Sequence, residues 1–171
     1  MTKLVLVLAT LASTACSSSP SGDPATIGNL TYVVPSGWSS KDLSNPQRAM
    51  FEWTPPPADN EHKESVVVIR TERAALAKSA TGHVTRLLED AQKNLPGGTF
   101  GPPASISTRF GFHGAKVEGK FTPAGQTVTY RRIHAVLVDD KHLVHVVYTA
   151  READGDHFET VLESIRWNQG A

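Results

Sequence analysis

The chain has 171 residues, and its 17 Lys and Arg side chains balance 17 Asp and Glu side chains, so its formal net charge is zero. A hydrophobic content of 39% with 20% charged residues is typical of a globular domain and argues against a disordered chain. Balanced charge without a block of Lys or Arg argues against a nucleic-acid-binding protein. The single cysteine, Cys16, excludes an intrachain disulfide and any zinc site that needs several thiolates.

Residues 1–16 have the pattern of an export signal. Lys3 supplies a short positively charged start, and residues 4–11 form an apolar stretch. Because a membrane-spanning helix needs roughly 20 apolar residues, this stretch is too short to cross a bilayer. We therefore predict a signal peptide over residues 1–16 and not a transmembrane anchor.

The end of the signal, Ser13-Thr14-Ala15-Cys16, resembles the lipobox of bacterial lipoproteins, in which small residues precede a cysteine. Ser13 departs from that pattern, which prefers Leu, Val or Ile three residues before the cysteine. The resemblance implies that the chain is cleaved before Cys16 and that this cysteine is lipidated, so that acyl chains hold the protein firmly on a membrane. The alternative interpretation is an ordinary secretory signal that is cleaved after Ala15 and leaves the cysteine unmodified.

A flexible tether is predicted over residues 17–28. Residues 17–24 read SSSPSGDP, without a periodic apolar pattern, as is typical of a linker. Removal of Lys3 with the signal leaves one more acidic than basic side chain, so membrane attachment would depend on lipid and not on a basic patch. Asp directly after the cysteine commonly retains lipoproteins of enteric bacteria in the inner membrane. Because Ser17 stands there, the resemblance favours the outer membrane, with the protein facing the periplasm.

Residues 29–171 are predicted to form a single domain that begins with three strands. The strands are expected at 30–34, 49–53 and 66–69, where β-branched and aromatic residues gather between breaks that contain Pro or polar residues. In the run Val66–Ile69 the odd-numbered and the even-numbered positions are all apolar. Because alternate residues of a strand point to opposite faces, both faces of this strand are expected to be covered.

Two amphipathic helices are predicted, one in mid-chain and one near the end. The first has a single apolar stripe and is expected to end at Gly97-Gly98. The second is expected over residues 156–166, again with apolar residues three and four positions apart. The stripe of the first helix consists of Val84, Leu87, Leu88, Ala91 and Leu95.

Four strands are predicted between the helices, at 105–110, 115–122, 127–138 and 143–149. The breaks between them are short enough for hairpins. The element order is therefore βββ-α-ββββ-α. It predicts an α+β fold in which an antiparallel sheet of about six to seven strands packs with two helices.

This arrangement resembles the Mog/PsbP-like fold and, within it, the DcrB-type envelope lipoproteins. The first strand ends in Pro35-Ser36-Gly37-Trp38, similar to the opening motif of that family, and the apolar strand with a charged tail, Val66–Arg73, precedes the mid-chain helix. A hairpin series follows, and the last helix ends in Ile165-Arg166-Trp167. The resemblance covers residues 30–167. It implies a PsbP-like sandwich and an accessory, assembly or interaction role, with no catalytic residue to carry over.

Histidines raise the question of a metal site. His142 and His145 are three residues apart on a predicted strand, so they point to opposite faces and chelate poorly. If Asp139-Asp140 form a two-residue turn, however, His134 faces His145 directly across the hairpin, with Cβ atoms about 5 Å apart. The alternatives are a shared metal ion and a polar cross-strand pair on a solvated face. The seven histidines are His62, His83, His113, His134, His142, His145 and His157.

Three other side chains have candidate roles. Arg131 and Arg132 are neighbours on a predicted strand and therefore point to opposite faces, so one of them is expected to face a helix layer and to need an acidic partner. Trp53, before a run of three prolines, is either a packed residue or an exposed aromatic anchor for a partner.

The sequence therefore predicts a lipid-anchored envelope protein that binds another envelope component and needs no cofactor. The membrane is the predicted partner through Cys16, nucleic acid is not, and the oligomeric state stays open. The alternatives are a periplasmic carrier of a small molecule or lipid, and a periplasmic enzyme without a recognisable motif. A large apolar cavity would favour the carrier, and a histidine coupled to a carboxylate or Ser in a cleft would favour the enzyme.

Overall fold

The computed structural model describes residues 22–56, 64–72, 80–94, 98–138, 142–152 and 156–168. Within these ranges it contains eleven strands and two helices, and it confirms the predicted α+β class. The helices are α1 (Ala80–Asn94) and α2 (Phe158–Ser164). The strands are β1 (Asp23–Ile27), β2 (Leu30–Val34), β3 (Ser39–Asp42), β4 (Ala49–Thr54), β5 (Ser65–Glu72), β6 (Thr99–Phe100), β7 (Ala104–Ser107), β8 (His113–Phe121), β9 (Tyr130–Val138), β10 (His142–Arg151) and β11 (Arg166–Trp167).

The strands form two antiparallel sheets. The larger sheet has eight strands, in the order β3-β4-β5-β10-β9-β8-β6, with β7 also paired to β8. The smaller sheet has the order β1-β2-β11. Every described strand pair is antiparallel, as expected where short connections join successive strands.

The main core lies between one face of the large sheet and a layer formed by the small sheet and α2. Strand β10 contributes Val146 and Tyr148, which are completely buried and alternate with side chains on the other face. Helix α2 and the residue after it bury the predicted apolar stripe, with Phe158 and Ile165 completely buried. The apolar face of the strand, with its two-residue period, therefore packs against the apolar face of the helix, with its 3.6-residue period.

Helix α1 covers part of the opposite face of the large sheet. Its Val84 is completely buried against residues of β8, β9 and β10. On that same face, Val67 and Ile69 of β5 are partly buried, whereas Val66 and Val68 are completely buried in the main core. The prediction that both faces of this strand are covered is therefore confirmed fully for the core face and in part for the other.

The fold begins earlier than predicted. Strand β1 occupies residues 23–27, which the sequence analysis assigned to the tether, so the prediction of a tether up to residue 28 is wrong from Asp23 onward. Ala25 and Ile27 are 6% and 2% exposed, and they hold β1 against the main core. Two small or medium apolar side chains next to a polar linker are too few to show a strand period.

Other boundaries also differ from the predictions. The strand predicted at 105–110 ends at Ser107, and Phe110 lies in the following turn. The strand predicted from Thr127 begins at Tyr130. Strands β3, β6 and β11 were not predicted, because they are polar or only two residues long and pair mainly through backbone groups.

Replacing Phe158 by Ala should lower the free energy of unfolding by about 3–5 kcal/mol, because removal of a completely buried ring leaves a cavity. Phe110→Ala is the matched control, since that ring is 41% exposed and its loss should change stability little. Urea unfolding followed by circular dichroism measures both variants. Equal losses in the two variants would contradict the packing of α2 described above.

Candidate functional site

The register of β9 and β10 decides how the histidines meet. The paired residues Val138 and Leu143 enclose a connection of four residues, not the two that direct pairing of the histidines requires. His134 consequently lies opposite Val147, and the predicted direct pairing with His145 is wrong. Because the register differs by two residues, both histidines still lie on the same face of the sheet.

This diagonal arrangement brings the two imidazoles together. Nδ1 of His134 lies 3.3 Å from Nε2 of His145, and the rings stack with centroids 5.5 Å apart. Burial lowers the pKa of His134 to about 4, and the charge of Arg132 contributes to the shift. Burial also lowers the pKa of His145 to about 3, with contributions from His134, Arg48 and His83. Both side chains are therefore neutral at pH 7, and one imidazole donates its N–H to the other.

Two neutral imidazole nitrogens are suitable ligands for a transition metal. In the described ranges, however, no further His, Cys, Asp or Glu joins them to make a group of three that would hold an ion. His142 lies on the other face of β10, where its ring centroid is 4.3 Å from that of Trp167. The described residues therefore support a buried, hydrogen-bonded histidine pair.

A second polar cluster joins Glu64, Tyr148 and His157. The Glu64 carboxylate is 7% exposed; its Oε1 accepts from the Tyr148 hydroxyl at 2.6 Å and bonds with Nδ1 of His157 at 2.8 Å. Burial raises the pKa of the Tyr148 hydroxyl well above its usual range, and the bond to Glu64 adds to the shift. The Trp38 ring packs edge-on against His157, with centroids 5.7 Å apart. The buried carboxylate therefore fixes the imidazole in one orientation.

This cluster has part of the geometry of a general base. A carboxylate that holds Nδ1 of a histidine leaves Nε2 to take a proton, as in a hydrolase. The His157 side chain is 41% exposed, so solvent reaches the ring. No hydroxyl or thiol in the described part of the chain forms a hydrogen bond with its Nε2. Sequence reasoning missed the cluster because Glu64 lies 84 and 93 positions before its two partners, in the break between the strands predicted at 49–53 and 66–69.

Trp53 is packed against the main core. The indole is half-buried, and its Nε1–H donates to the hydroxyl of Tyr32 at 3.0 Å. Burial raises the pKa of Tyr32 to about 12, so this hydroxyl stays protonated. The interpretation of Trp53 as an exposed anchor is therefore wrong.

The two adjacent arginines of β9 point to opposite faces, as predicted. Arg131 faces the α2 side and binds Glu118 at 2.6 Å and Asp156 at 2.5 Å. The hydrogen bond to Glu118 makes the largest contribution to raising the pKa of Arg131. Arg132 lies on the other face, where its Nε donates to the Thr149 hydroxyl at 3.1 Å. The expected acidic partners of one arginine are thus present.

An exposed aromatic ring between two arginines forms a third site. Phe110, in the turn between β7 and β8, is 41% exposed and is the one exposed large hydrophobic side chain in the described ranges. The Cζ atoms of Arg109 and Arg166 lie 4.6 and 5.9 Å from its ring centroid. Beside them, Pro24 of β1 and Thr31 of β2 help to line a cleft of about 240 Å³. Arg109, Phe110, Arg166 and Pro24 are named the Phe110 surface below.

Two features of the sequence analysis lie outside the described residues. They are Cys16, the predicted lipidation site, and Asp139-Asp140, the predicted hairpin turn. Within the described ranges, neither α1 nor α2 combines the length and the apolar character that a membrane-spanning helix requires.

Comparisons with known proteins give no family for the chain. No protein-family model and no curated protein matches the sequence. A solved structure from Bacteroides thetaiotaomicron is similar with a TM-score of 0.49 and 11% identity, over 82% of this chain and 46% of its own. A protein of unknown function from Pseudomonas aeruginosa has a TM-score of 0.42 and 17% identity, over 77% of this chain and 84% of its own. The chain thus spans less than half the length of the first of these two proteins.

The pH dependence of stability should report the histidine pair. Because the folded-state pKa values of about 4 and 3 lie below the ordinary value of 6.5, the unfolded chain takes up protons first as the pH falls. The neutral pair therefore contributes its full share of the unfolding free energy above pH 6.5, and this contribution is lost as the pH falls towards 4. Between pH 7 and 4.5, His134→Gln/His145→Gln should lose about 4–5 kcal/mol less of its unfolding free energy than the parent chain, since each of the two histidines contributes about half of the difference.

Urea unfolding at several pH values measures this difference. His113→Gln replaces an exposed histidine and is the control, which should follow the parent profile. Identical pH profiles for the double variant and the parent would contradict a buried neutral pair.

Proposed function

We propose that the chain is a lipid-anchored protein of the bacterial cell envelope, attached through Cys16 and facing the periplasm, with a non-catalytic accessory or interaction role. The observation that carries the proposal is the position of the one cysteine, at the end of an apolar signal and in a segment that resembles a lipobox. The α+β fold supports it, because this is the class that the resemblance to DcrB-type and PsbP-like proteins implies.

The short distance between the cysteine and the fold supports a role at the membrane surface. Seven residue steps separate Cys16 from Asp23, and an extended chain of that length spans at most about 25 Å. This reach is shorter than a tether over residues 17–28 would allow, because β1 belongs to the fold. A domain held so close to a bilayer meets membrane-bound partners at a raised effective concentration.

A partly exposed apolar face supports an interaction with another envelope protein. Met50 of β4 pairs with Ile69 of β5, and Val67 of β5 pairs with Val147 of β10. These four side chains are partly exposed and share the face of the large sheet on which α1 lies over β8 and β9. Partly exposed apolar side chains on a sheet surface are typical of protein interfaces. We refer to them as the β5 face.

An acid–base enzyme is a second candidate, favoured by the Glu64–His157 pair. The buried carboxylate orients an imidazole that solvent reaches, which is the arrangement that a general base needs. In the described residues the pair also serves the fold, since Tyr148 donates to the same Glu64 oxygen. The anchored interaction role remains the first proposal, because it accounts for the signal, the cysteine and the short tether together.

Metabolic labelling with a fatty acid should tag the parent chain and should drop to background in Cys16→Ala, because only a thiol at this position can carry the diacylglyceryl group. Ser17→Ala keeps the thiol and is the matched control. The label is measured relative to the amount of protein on the same immunoblot. Equal labelling of the parent and Cys16→Ala, or no labelling of either, refutes the anchor.

A photo-crosslinking residue at Ile69 should trap a defined envelope protein in intact cells, because this side chain is partly exposed in the middle of the β5 face. Gln126, exposed in the turn between β8 and β9, is the control position outside that face. Mass spectrometry of the crosslinked bands identifies the partner. The same band pattern from both positions would speak against an interaction at the β5 face.

A further inference from the structure

The turn that carries Phe110 is held in a defined shape. The backbone N–H of Gly111 donates to the carbonyl of Thr108 at 3.1 Å, and Gly111 has a φ of +84°, in the left-handed region that glycine favours. The backbone N–H of Arg109 donates to Oε2 of Glu163 at 3.0 Å and ties the turn to α2. The exposed ring is therefore presented by a fixed part of the fold.

The two guanidinium groups beside this ring are not committed to the carboxylates near them. In the described ranges, neither Arg109 nor Arg166 forms an ion pair through its guanidinium. Two carboxylates lie close by, but Glu163 accepts from the backbone of Arg109, and Asp23 accepts from the residues of the β2–β3 turn. Two cations that flank an exposed ring are thus free to bind an external anion.

Lipid headgroups have the complementary chemistry. A guanidinium binds a phosphate with two parallel hydrogen bonds. Apolar rings such as that of Phe110 are buried at the boundary between headgroups and acyl chains. Anionic phospholipids add a negative surface that attracts Lys and Arg within a Debye length.

The Phe110 surface also lies where the tether enters the domain. Pro24 lines the same cleft as Phe110, Arg109 and Arg166. Eight residue steps separate Pro24 from Cys16, a span of at most about 30 Å. The turn between β8 and β9 lies at the far end of the nine-residue strand β8, roughly 30 Å away along the strand.

We propose that the Phe110 surface docks on an anionic bilayer, with the ring among the lipid headgroups and the two guanidinium groups on lipid phosphates. The proposal rests on the proposed function, because the anchor decides which membrane the domain meets. Two observations favour an anionic bilayer as the binding partner: the positive charge of the two arginines and the short chain between this surface and Cys16. The lipid anchor then limits the distance of the domain from the membrane, and the Phe110 surface fixes its orientation.

The test attaches the chain chemically, so that it does not depend on lipidation in the cell. The chain from residue 16 onward contains every strand, helix and contact described above, and its thiol at Cys16 is coupled to a maleimide-bearing phospholipid in vesicles. The vesicles contain phosphatidylethanolamine and phosphatidylglycerol, with or without bromine on the acyl chains as a quencher. Phe110→Trp carries the probe, Gln126→Trp is the control at the other end of β8, and the parent chain gives the signal of the native tryptophans.

We expect bromine to reduce the emission of the indole added at position 110 about twofold, since docking places it at the acyl-chain boundary, and to leave the indole at 126 unchanged. Replacing both arginines by Gln, or using phosphatidylcholine vesicles, should restore the emission at 110. Equal quenching at 110 and 126, or quenching at 110 that survives the loss of both arginines, would overturn the proposal. A blue-shifted but unquenched indole at 110 would assign the surface to a protein segment such as the tether, and would also overturn it.

These experiments distinguish failure of the proposed lipid anchor from failure of the proposed docking surface. Failure of fatty-acid labelling refutes the cellular anchor and does not alter the quenching result. Labelling that succeeds while position 110 stays unquenched leaves the anchor in place and removes the docking surface. Circular dichroism of each variant establishes that the fold is intact, which is expected because position 110 is 41% exposed and position 126 is exposed.

Discussion

The pairing of β10 with β9 on one side and β5 on the other is the constraint on which the rest of the structure depends. Nine residue pairs join β10 to β9, and eight join it to β5, so β10 lies inside the large sheet along nearly its whole length. This register directs Val146 and Tyr148 into the main core and turns His145 to the face where α1 packs. A shift by one residue would exchange these two sets and place the imidazole in the apolar layer.

Helix α2 depends on that sheet for its existence. With seven residues it is too short to be stable alone. Its burial is supplemented by polar contacts: the Ser164 hydroxyl accepts from the backbone N–H of Val33 at 2.7 Å, and Glu159 pairs with Lys116 at 2.9 Å. The Glu64 cluster lies at its start, and the Phe110 surface lies beside its end. Both candidate sites are therefore positioned by the same short helix.

The sequence predicts those elements in which the apolar pattern repeats over several residues. Strands β2, β5, β9 and β10 and both helices carry apolar repeats long enough to recognise, since each covers an extended part of a core. Strand β1 buries only Ala25 and Ile27, and β11 has two residues, so neither carries a recognisable apolar pattern. Both strands form because they pair with β2.

The candidate sites were harder to predict for a different reason. The histidine pair was recognised because its members lie on adjacent strands of one hairpin. Its exact register was not, because the register depends on the length of the connection between the two strands. Glu64 is buried because Tyr148 and His157 surround it, and neither partner is near it in sequence. Phe110 is exposed because its strand ends at Ser107, whereas its residue type alone favours burial.

Strand β1 gives the domain a mechanical property. It is an edge strand of the small sheet and the first element of the described chain, so in the proposed anchored protein any tension between the membrane and the domain passes through its five residue pairs with β2. Tension directed away from the sheet would separate these pairs one after another, beginning where Asp23 lies opposite Val34. Tension along the strand would load all five together and would meet far greater resistance. In the proposed anchored protein, the direction in which the membrane pulls therefore decides whether β1 separates from β2 and uncovers the main core.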